Sequence, residues 1–412
     1  MANREMKYSG NPWIGYIPHS WEVKRIKTIF KERTELSEDG SETLLSVSEY
    51  YGVANRSEKV SEGEFVSRAE TLAGYKKCFV GDLVSNIMLA WKGSMGVTEI
   101  DGIVSPAYCV YEPSPTIHPR YYHYLFRTSL YTSIFRLYSK GIIDSRLRLY
   151  SPYFFDISAI IPSLSEQQKI ASFLDRKSAE IDEMIALQEK IVDELKAYKQ
   201  SVITEAVTKG LNPDVPMKDS GIEWIGEIPE HWNLHRLKYL CNIQTGDKDT
   251  QDAVQDGQYP FYVRSPYIER SNEYSFNGEG ILMAGDGAGA GRVFHHAYGK
   301  YAVHQRVYRM YDIKNIIQSD YLFYYISNLF CKVMDMGSAQ STVPSVRLPM
   351  LTNFATCIPP MEEQDAIAEH LNIKCTEIDN LISIKLSKID SLKEYKKSII
   401  YEYVTGKKEV IE

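Results

Sequence analysis

None of the six cysteines, Cys78, Cys109, Cys241, Cys331, Cys357 and Cys375, lies at CxxC spacing, and no His or Cys pair has zinc-finger spacing. A disulfide framework and a structural zinc site are therefore not expected. No apolar run reaches the length of roughly 18 residues that a membrane span needs, and Met1-Ala2-Asn3-Arg4-Glu5 lacks the apolar run of a signal peptide. These absences predict a reduced, cytoplasmic chain. A basic excess is missing too: 47 Lys and Arg face 54 Asp and Glu, a net charge of -7. On charge alone, no global field advertises a nucleic-acid partner.

Catalytic signatures are equally scarce. Gly285-Asp286-Gly287-Ala288-Gly289-Ala290-Gly291 lacks the Lys-Ser/Thr of a phosphate loop and reads as a turn between two strands. His295, His296 and His304 have no carboxylate or cysteine at helpful spacing for a metal. Ser151-Pro152-Tyr153-Phe154 echoes the Asn/Asp-Pro-Pro-Tyr/Phe loop of amino-methyltransferases but lacks its second proline, and no glycine-rich cofactor motif precedes it. No nuclease or helicase cluster appears. A chain of 412 residues without a catalytic constellation reads as a binding or organising subunit.

What is present is ordinary globular composition, 44% hydrophobic and 25% charged, with 30 tyrosines. The length suggests about two to four domains. Internal repeats then set the organisation. Met6-Lys7-Tyr8-Ser9-Gly10-Asn11-Pro12-Trp13-Ile14-Gly15-Tyr16-Ile17-Pro18 recurs as Met217-Lys218-Asp219-Ser220-Gly221-Ile222-Glu223-Trp224-Ile225-Gly226-Glu227-Ile228-Pro229. The match runs on through Trp21/Trp232, Arg25/Arg236 and Lys27/Lys238. A second repeat closes each half: Ile161-Pro162 to Thr208 matches Ile358-Pro359 to Thr405, sharing Glu166/Glu363, Gln167/Gln364, Asp182/Asp379, Tyr198/Tyr395 and Lys199/Lys396. Similar ends around dissimilar middles describe a fixed frame carrying two exchangeable segments, with pseudo-twofold geometry.

The closing repeats read as long helices. Ile170, Leu174, Lys177, Ile181, Met184, Gln188, Ile191, Leu195, Tyr198 and Val202 form a mostly apolar heptad seam, and Ile367, Leu371, Lys374, Ile378, Leu381, Lys385, Lys388, Leu392, Tyr395 and Ile399 form its equivalent. Ser165 followed by Glu166-Gln167-Gln168 gives an N-cap signal, and Gly210 with Pro213 a stop. Each helix spans roughly 60 Å at about 1.5 Å per residue. Each stripe needs a partner, and an internal twofold pairs the two helices antiparallel, with Lys177, Gln188, Lys374, Lys385 and Lys388 helping to set register. Separate burial in two globular domains is the alternative.

The middle segments look sheet-rich. Cys78–Val80, Gly102–Val104 and Ala107–Tyr111 read as strands, followed by a helix from Pro119 to Tyr138. The second segment repeats the order: Tyr259–Val263, Gly280–Met283, Tyr301–Arg309, then a helix from Asp320 to Met334. The fold class is α/β (α+β). The expected domains are residues 1–160 and 213–356, each an α/β segment with its opening motif, alternating with helices over 161–212 and 357–412.

With these motifs in hand, the chain resembles the specificity subunits of type I restriction–modification systems. The resemblance rests on the repeated Trp-Ile-Gly-x-Ile-Pro-x-x-Trp motif (Trp13–Trp21 and Trp224–Trp232) and on Ile-Pro-x-x-x-x-Glu-Gln-x-x-Ile-Ala at Ile161–Ala171 and Ile358–Ala368. It rests also on the stretch Gly81–Val97 and on the two-by-two order itself. It implies two target-recognition domains, each reading half of a bipartite, asymmetric duplex DNA site, with the helices setting the spacing and docking two modification (methyltransferase) subunits. It implies no catalysis and no cofactor on this chain: S-adenosylmethionine, ATP and Mg belong to the partner subunits, a restriction subunit among them. A methyltransferase-binding or antirestriction-like scaffold without DNA specificity is the alternative.

Charge becomes interpretable by segment. Residues 22–160 carry equal numbers of Lys/Arg and Asp/Glu, and residues 233–356 one more cation than anion, so the acid lies in the helices and linker. Base readers are most often Arg, Lys, Asn, Gln and Ser. By analogy within the repeat, Ser48, Arg56, Asn86, Lys92, Ser94, Arg146 and Arg148 are the candidates in the first segment. Lys248, Arg264, Arg292, Gln305, Gln340 and Ser341 are those in the second. Trp13 and Trp224 are expected to anchor their domains.

Overall fold

The computed structural model describes residues 4–59, 71–337 and 344–411. It divides into two compact units, Met1–Gln188 with Lys388–Glu412, and Glu189–Ser387. Each unit holds one opening motif, one middle segment, the first half of its own closing helix and the last half of the other.

In the first unit the opening motif forms an antiparallel hairpin, Met6–Tyr8 with Tyr16–Pro18. Glu22–Arg25 pairs with Ser158–Ile161, so the middle segment leaves the frame and returns to it side by side. Its centre is an antiparallel sheet in the order Phe30–Arg33, Tyr108–Pro113, Leu83–Asn86, Met95–Val97. Side chains alternate across such a sheet. Leu83, Met95, Val97, Cys109 and Tyr111 accordingly pack with the helices Pro119–Leu125, Ser129–Tyr138 and Ser151–Asp156. Val84 and Val110 face the other way, toward Leu45, Val47, Cys78 and Val104 on two small strand pairs.

The second unit repeats this plan. The strand order is Asn242–Thr245, Val307–Tyr311, Gly280–Ala284, Phe294–Ala297. Ile281, Met283 and Met310 meet the helices, whereas Leu282 and Val307 meet Tyr262, Tyr301 and Val303 on a second sheet. Asn233–Arg236 pairs with Ala355–Ile358, as in the first unit.

Two of the elements expected from sequence are divided in the structure. The helix expected over Pro119–Tyr138 is two helices, because the Thr128 hydroxyl donates to the Leu125 carbonyl at 2.7 Å and accepts from the Tyr131 N–H, capping a new start. The strand expected over Tyr301–Arg309 is likewise divided, into Lys300–Val303 and Val307–Tyr311. Between them the Val307 N–H donates to the His304 carbonyl at 2.9 Å, a turn that ends the first strand.

The repeated residues of the frame are hydrogen-bond hooks. Trp21 and Trp232 are fully buried, and a buried indole N–H needs an acceptor. Trp21 Nε1 donates to Glu166 at 2.7 Å and Trp232 Nε1 to Glu363 at 2.9 Å. The neighbouring glutamines, Gln167 and Gln364, are equally buried and use both ends of the amide. Their oxygens accept from the His118 and Gln318 N–H groups, each at 2.8 Å, and their nitrogens donate to the Pro162 and Pro359 carbonyls. Tyr121 donates to the Val404 carbonyl and Tyr321 to that of Val207, tying each middle segment to the end of the helix that closes the other half. Much of the tyrosine content is thus core. Trp13, expected as an anchor, is 59% exposed, and the second tryptophan of its motif does the anchoring. Trp224 instead stacks on Phe354, with centroids 5.2 Å apart.

The long helices run Leu164–Lys209 and Met361–Val404. Ser163, not Ser165, caps the first, its hydroxyl accepting from the Glu166 N–H at 3.3 Å. Gly210 ends it at φ 79°, where a side chain would meet Trp232. The helices pair antiparallel within each unit: Phe173 meets Tyr403 and Asp182 meets Lys396 in the first, and Lys199 meets Asp379 in the second. The buried stripe is not the expected heptad. Ile170, Ile181, Val192 and Ile203 are buried, as are Ile367, Ile378 and Ile389, each following the last by eleven residues. Eleven residues in three turns give about 3.67 per turn, closer to a relaxed helix than 3.5, so the stripe drifts off a heptad seam. The supposed seam residues Met184, Tyr198, Leu381 and Tyr395 are consequently exposed, and Ile185 and Val192 take their place. Lys177 and Lys374 pair within their own helices, with Glu180 and Glu377.

Candidate nucleic-acid interface

In the first unit, residues from three separate stretches converge around the helix Ser129–Tyr138. The turn after Asn86 is held to the stretch before the helix Ser151–Asp156 by the Leu149 N–H, which donates to the Ile87 carbonyl at 2.9 Å. The Arg136 guanidinium lies 4.8 Å from the Trp91 ring centroid, and Lys92 Nζ 5.2 Å from the same ring. Arg136 also pairs with Asp144 at 2.6 Å. Beyond the helix, Lys140 and Arg148 exchange backbone hydrogen bonds of 2.9 Å, closing a loop that carries Arg146. Segments 86–92 and 136–150 together hold Lys92, Arg136, Lys140, Arg146 and Arg148 against a single carboxylate, Asp144. The structure thus gathers three of the basic candidates, Lys92, Arg146 and Arg148, and adds Arg136 and Lys140. A chain acidic overall has built a basic ridge.

The ridge continues toward the hairpin of Leu45–Ser48 and Gly52–Asn55, which carries Ser48 and leads to Arg56. Arg127 was invisible to sequence reasoning, since its four acceptors are all main-chain atoms. Its guanidinium donates to the carbonyls of Ser48, Glu49, Tyr50 and Met95 at 2.9–3.2 Å. Burial lowers its pKa to about 10, so it stays charged at neutral pH. It fixes the tip from which Tyr50 projects, exposed. Beneath the tip, His123 is buried beside Arg127 and Arg120, and burial first and these cations second push its pKa well below 6.5. Ser94 and Asn86 are also buried: the Ser94 hydroxyl donates to the Val47 carbonyl, and Asn86 accepts from the Met88 N–H, each at 3.1 Å. Both hold turns beneath the ridge.

The second unit distributes its charges differently. Arg264 pairs with Asp286 at 2.8 Å, Arg292 with Asp335 at 2.6 Å, and Lys248 with Glu273. Gln305 donates to Asp249 at 3.0 Å. Lys248 and Gln305 are brought together, the Gln305 N–H donating to the Lys248 carbonyl at 2.8 Å, and each of the four candidates stands beside a carboxylate. Gln340 and Ser341 fall outside the described residues. His295 and His296 turn to the Ser265 carbonyl and to Glu279. Among the described residues no group of three His, Cys, Asp or Glu is placed to hold a metal.

The type I restriction modification DNA specificity domain matches residues 18–200 and again 229–394, the same duplication seen in the fold. The chain belongs to this family. It is therefore a specificity subunit, the recognition component of a type I restriction–modification system and not its catalyst. It is similar to the MjaVIII specificity subunit of Methanocaldococcus jannaschii, 26% identical over 95% of this chain and 93% of that protein. Similarity to the EcoDI specificity subunit of Escherichia coli, at 28%, spans 38% of this chain and 34% of that protein. Among solved structures, a chain from work on complex assembly and conformational transition of the type I R-M system shares the fold. It has a TM-score of 0.69 and 15% identity, covering 94% of this chain and 98% of that one. The HsdS subunit from Thermoanaerobacter tengcongensis has a TM-score of 0.52 and 16% identity, covering 95% and 98%. No helix among the described residues of this specificity subunit is long and apolar enough to cross a membrane.

Proposed function

We propose that each unit of this specificity subunit reads one half of a bipartite, asymmetric site in duplex DNA, and that the paired long helices set the gap between the halves. The observation that carries this reading is the basic ridge of the first unit, five cations against one carboxylate in a chain of net charge -7. Lys92, Arg146 and Arg148, with Arg136 and Lys140, neutralise phosphates and reach base edges there. The hairpin bearing Ser48 and Arg56 extends the contact. In the second unit Lys248, Arg264, Arg292 and Gln305, with Gln340 and Ser341, take the same part, exchanging their carboxylate partners for DNA.

Two modification subunits dock on the helices in this reading. Met184 and Leu381, Leu187 and Ile384, and Tyr198 and Tyr395 are repeat equivalents, and all are exposed. Matching apolar positions written twice suit two copies of one partner. Those subunits bring S-adenosylmethionine, and a restriction subunit brings ATP and Mg, so this chain works in the cytoplasm without a cofactor of its own.

The test is co-purification with the methyltransferase encoded beside it, followed by sequencing of methylated host DNA. The expected result is adenine methylation at a two-part motif. Methylation scattered without such a motif would sink the reading. The paired cations of the second unit favour a different one, a methyltransferase-binding scaffold that reads no DNA. Footprinting of the assembled complex separates the two, since a scaffold protects no defined sequence.

A further inference from the structure

The loop between Lys140 and Arg148 ends in an isoleucine, Ile142, that is 100% exposed, followed by Ile143 at 53%. The exposure is built in. Lys140 and Arg148 close the base of the loop with reciprocal backbone hydrogen bonds of 2.9 Å, and the Arg146 N–H donates to the Ile143 carbonyl at 2.8 Å. The Arg148 side chain donates to the Ser145 and Leu147 carbonyls at 3.1 and 2.8 Å. Gly141 has φ 149°, and a Cβ there would lie 2.5 Å from the Arg146 carbonyl oxygen, so only glycine lets the loop close this tightly. Asp144 is held by Arg136 at 2.6 Å. A stiff branched apolar side chain thus stands near the tip of a fastened loop that carries Arg146 and whose base is Lys140 and Arg148. Arg146 has no side-chain hydrogen bond or ion pair among the described residues.

An apolar tip alone would suit a protein partner or a base stack. The surroundings decide between them. A protein surface complementary to this tip would have to answer Lys140 and Arg146 with carboxylates, whereas duplex DNA answers them with phosphates and offers an apolar step between bases. Proteins that kink DNA insert such a side chain between base pairs while basic neighbours hold the backbone. We propose that Ile142 is a wedge that inserts at a base step of the half-site read by the first unit, opening the stack there, with Lys140 and Arg146 gripping the flanking phosphates. The proposal rests on the DNA reading given above and adds to it a deformation of the target, through which sequence is read by the ease of unstacking as well as by base edges.

The experiment uses the full complex with its modification subunits. The probe is a duplex carrying the motif that the complex methylates, with 2-aminopurine placed at successive steps of each half-site. Apart from the target adenines that the modification subunits flip, binding of the wild-type complex is expected to raise fluorescence at one further step, in one half-site. Ile142→Ala is expected to abolish that rise and to weaken binding by about tenfold, whereas Ile142→Leu keeps both. The altered residue is wholly exposed, so thermal stability and co-purification of the modification subunits should stay unchanged. Wild-type levels of binding and fluorescence in Ile142→Ala would overturn the wedge while leaving the DNA reading intact. Loss of the modification subunits on Ile142→Ala would overturn it in favour of a protein contact. A wild-type complex that prefers no duplex would overturn the DNA reading itself, and the wedge with it.

Discussion

Lys199 on the first long helix holds Asp379 on the second by both carboxylate oxygens, at 2.7 and 2.6 Å. Lys396 and Asp182 make the same pair at the same distances. Each lysine is the repeat equivalent of the other, and so is each aspartate. Each unit thus fastens its own antiparallel helix pair with the same repeated contact. The pairs set register more than they set stability, since all four side chains are partly exposed and such pairs contribute about 1 kcal/mol or less. Lys199→Ala should therefore cost under about 1 kcal/mol, and exchanging the charges, Lys199→Asp with Asp379→Lys, should restore the loss. Double-mutant cycles by denaturant melting measure the coupling. Zero coupling at both pairs would show that the contacts do not hold register.

The two tryptophans of the first opening motif should respond very differently. Trp21→Ala empties a fully buried site and leaves the Glu166 carboxylate with Arg4 as its remaining side-chain partner. A loss of roughly 3–5 kcal/mol is expected for such a change. Trp13→Ala should change stability by less than about 0.5 kcal/mol, as expected of an exposed side chain. Calorimetry on the two variants checks the contrast, and equal losses would contradict the assignment of the anchor.

Arg127→Ala should loosen the hairpin tip. Four carbonyls lose a charged donor, and leaving even one or two buried acceptors unsatisfied costs on the order of 3 kcal/mol. Amide exchange of residues 48–51 should quicken more than that of the central sheet, which hydrogen–deuterium exchange reads directly. Uniform acceleration throughout the unit would instead indicate global destabilisation.

Stability of the first unit should fall as pH drops from 7 toward 5. His123 has its folded pKa pushed well below 6.5, by burial first and by Arg127 and Arg120 next, so the folded form resists the proton. Below about 6.5 the unfolded chain binds that proton and the folded chain does not, so unfolding gains as pH falls; above it both are neutral and the effect vanishes. His118 acts in the same direction, also chiefly through burial. His123→Gln should flatten the slope of melting temperature against pH, and an unchanged slope would remove His123 from the account.

Phosphate contacts on the ridge have a salt signature. Lys92→Ala and Arg146→Ala should each weaken binding to matched and unrelated duplexes alike, and each should reduce the slope of log affinity against log salt by about 1. Titration of the full complex at several salt concentrations gives the slope. A variant that loses only its preference among sequences, with the slope unchanged, would make that residue a base reader.

The duplicated frame was legible because its signals are local or repeated. Trp21 with Glu166 and Trp232 with Glu363 stand in both halves at corresponding places, and the long apolar stripes announce helices whatever surrounds them. The register of those stripes was not legible. Heptad and eleven-residue periods differ by only about half a residue over three turns, and Met184 or Ile185 serves either pattern until the partner helix buries one of them. The break at Thr128 was hidden for a similar reason, since a capping hydroxyl and a mid-helix threonine look alike in sequence.

The candidate site divides along the same line. Residue types alone nominated Lys92, Arg146 and Arg264 as equals. Tertiary structure separated them, because each cation's partner comes from a remote stretch of chain: Asp286 reaches Arg264, whereas Arg146 is left to solvent beside Lys140 and Arg136. Local sequence therefore determined the frame, its duplication and the helices, through periodicity and recurring motifs. Only the folded chain decided which charges are neutralised, which tryptophan is buried and which isoleucine stands in the open, since Coulomb pairing and burial depend on distances that sequence separation does not encode.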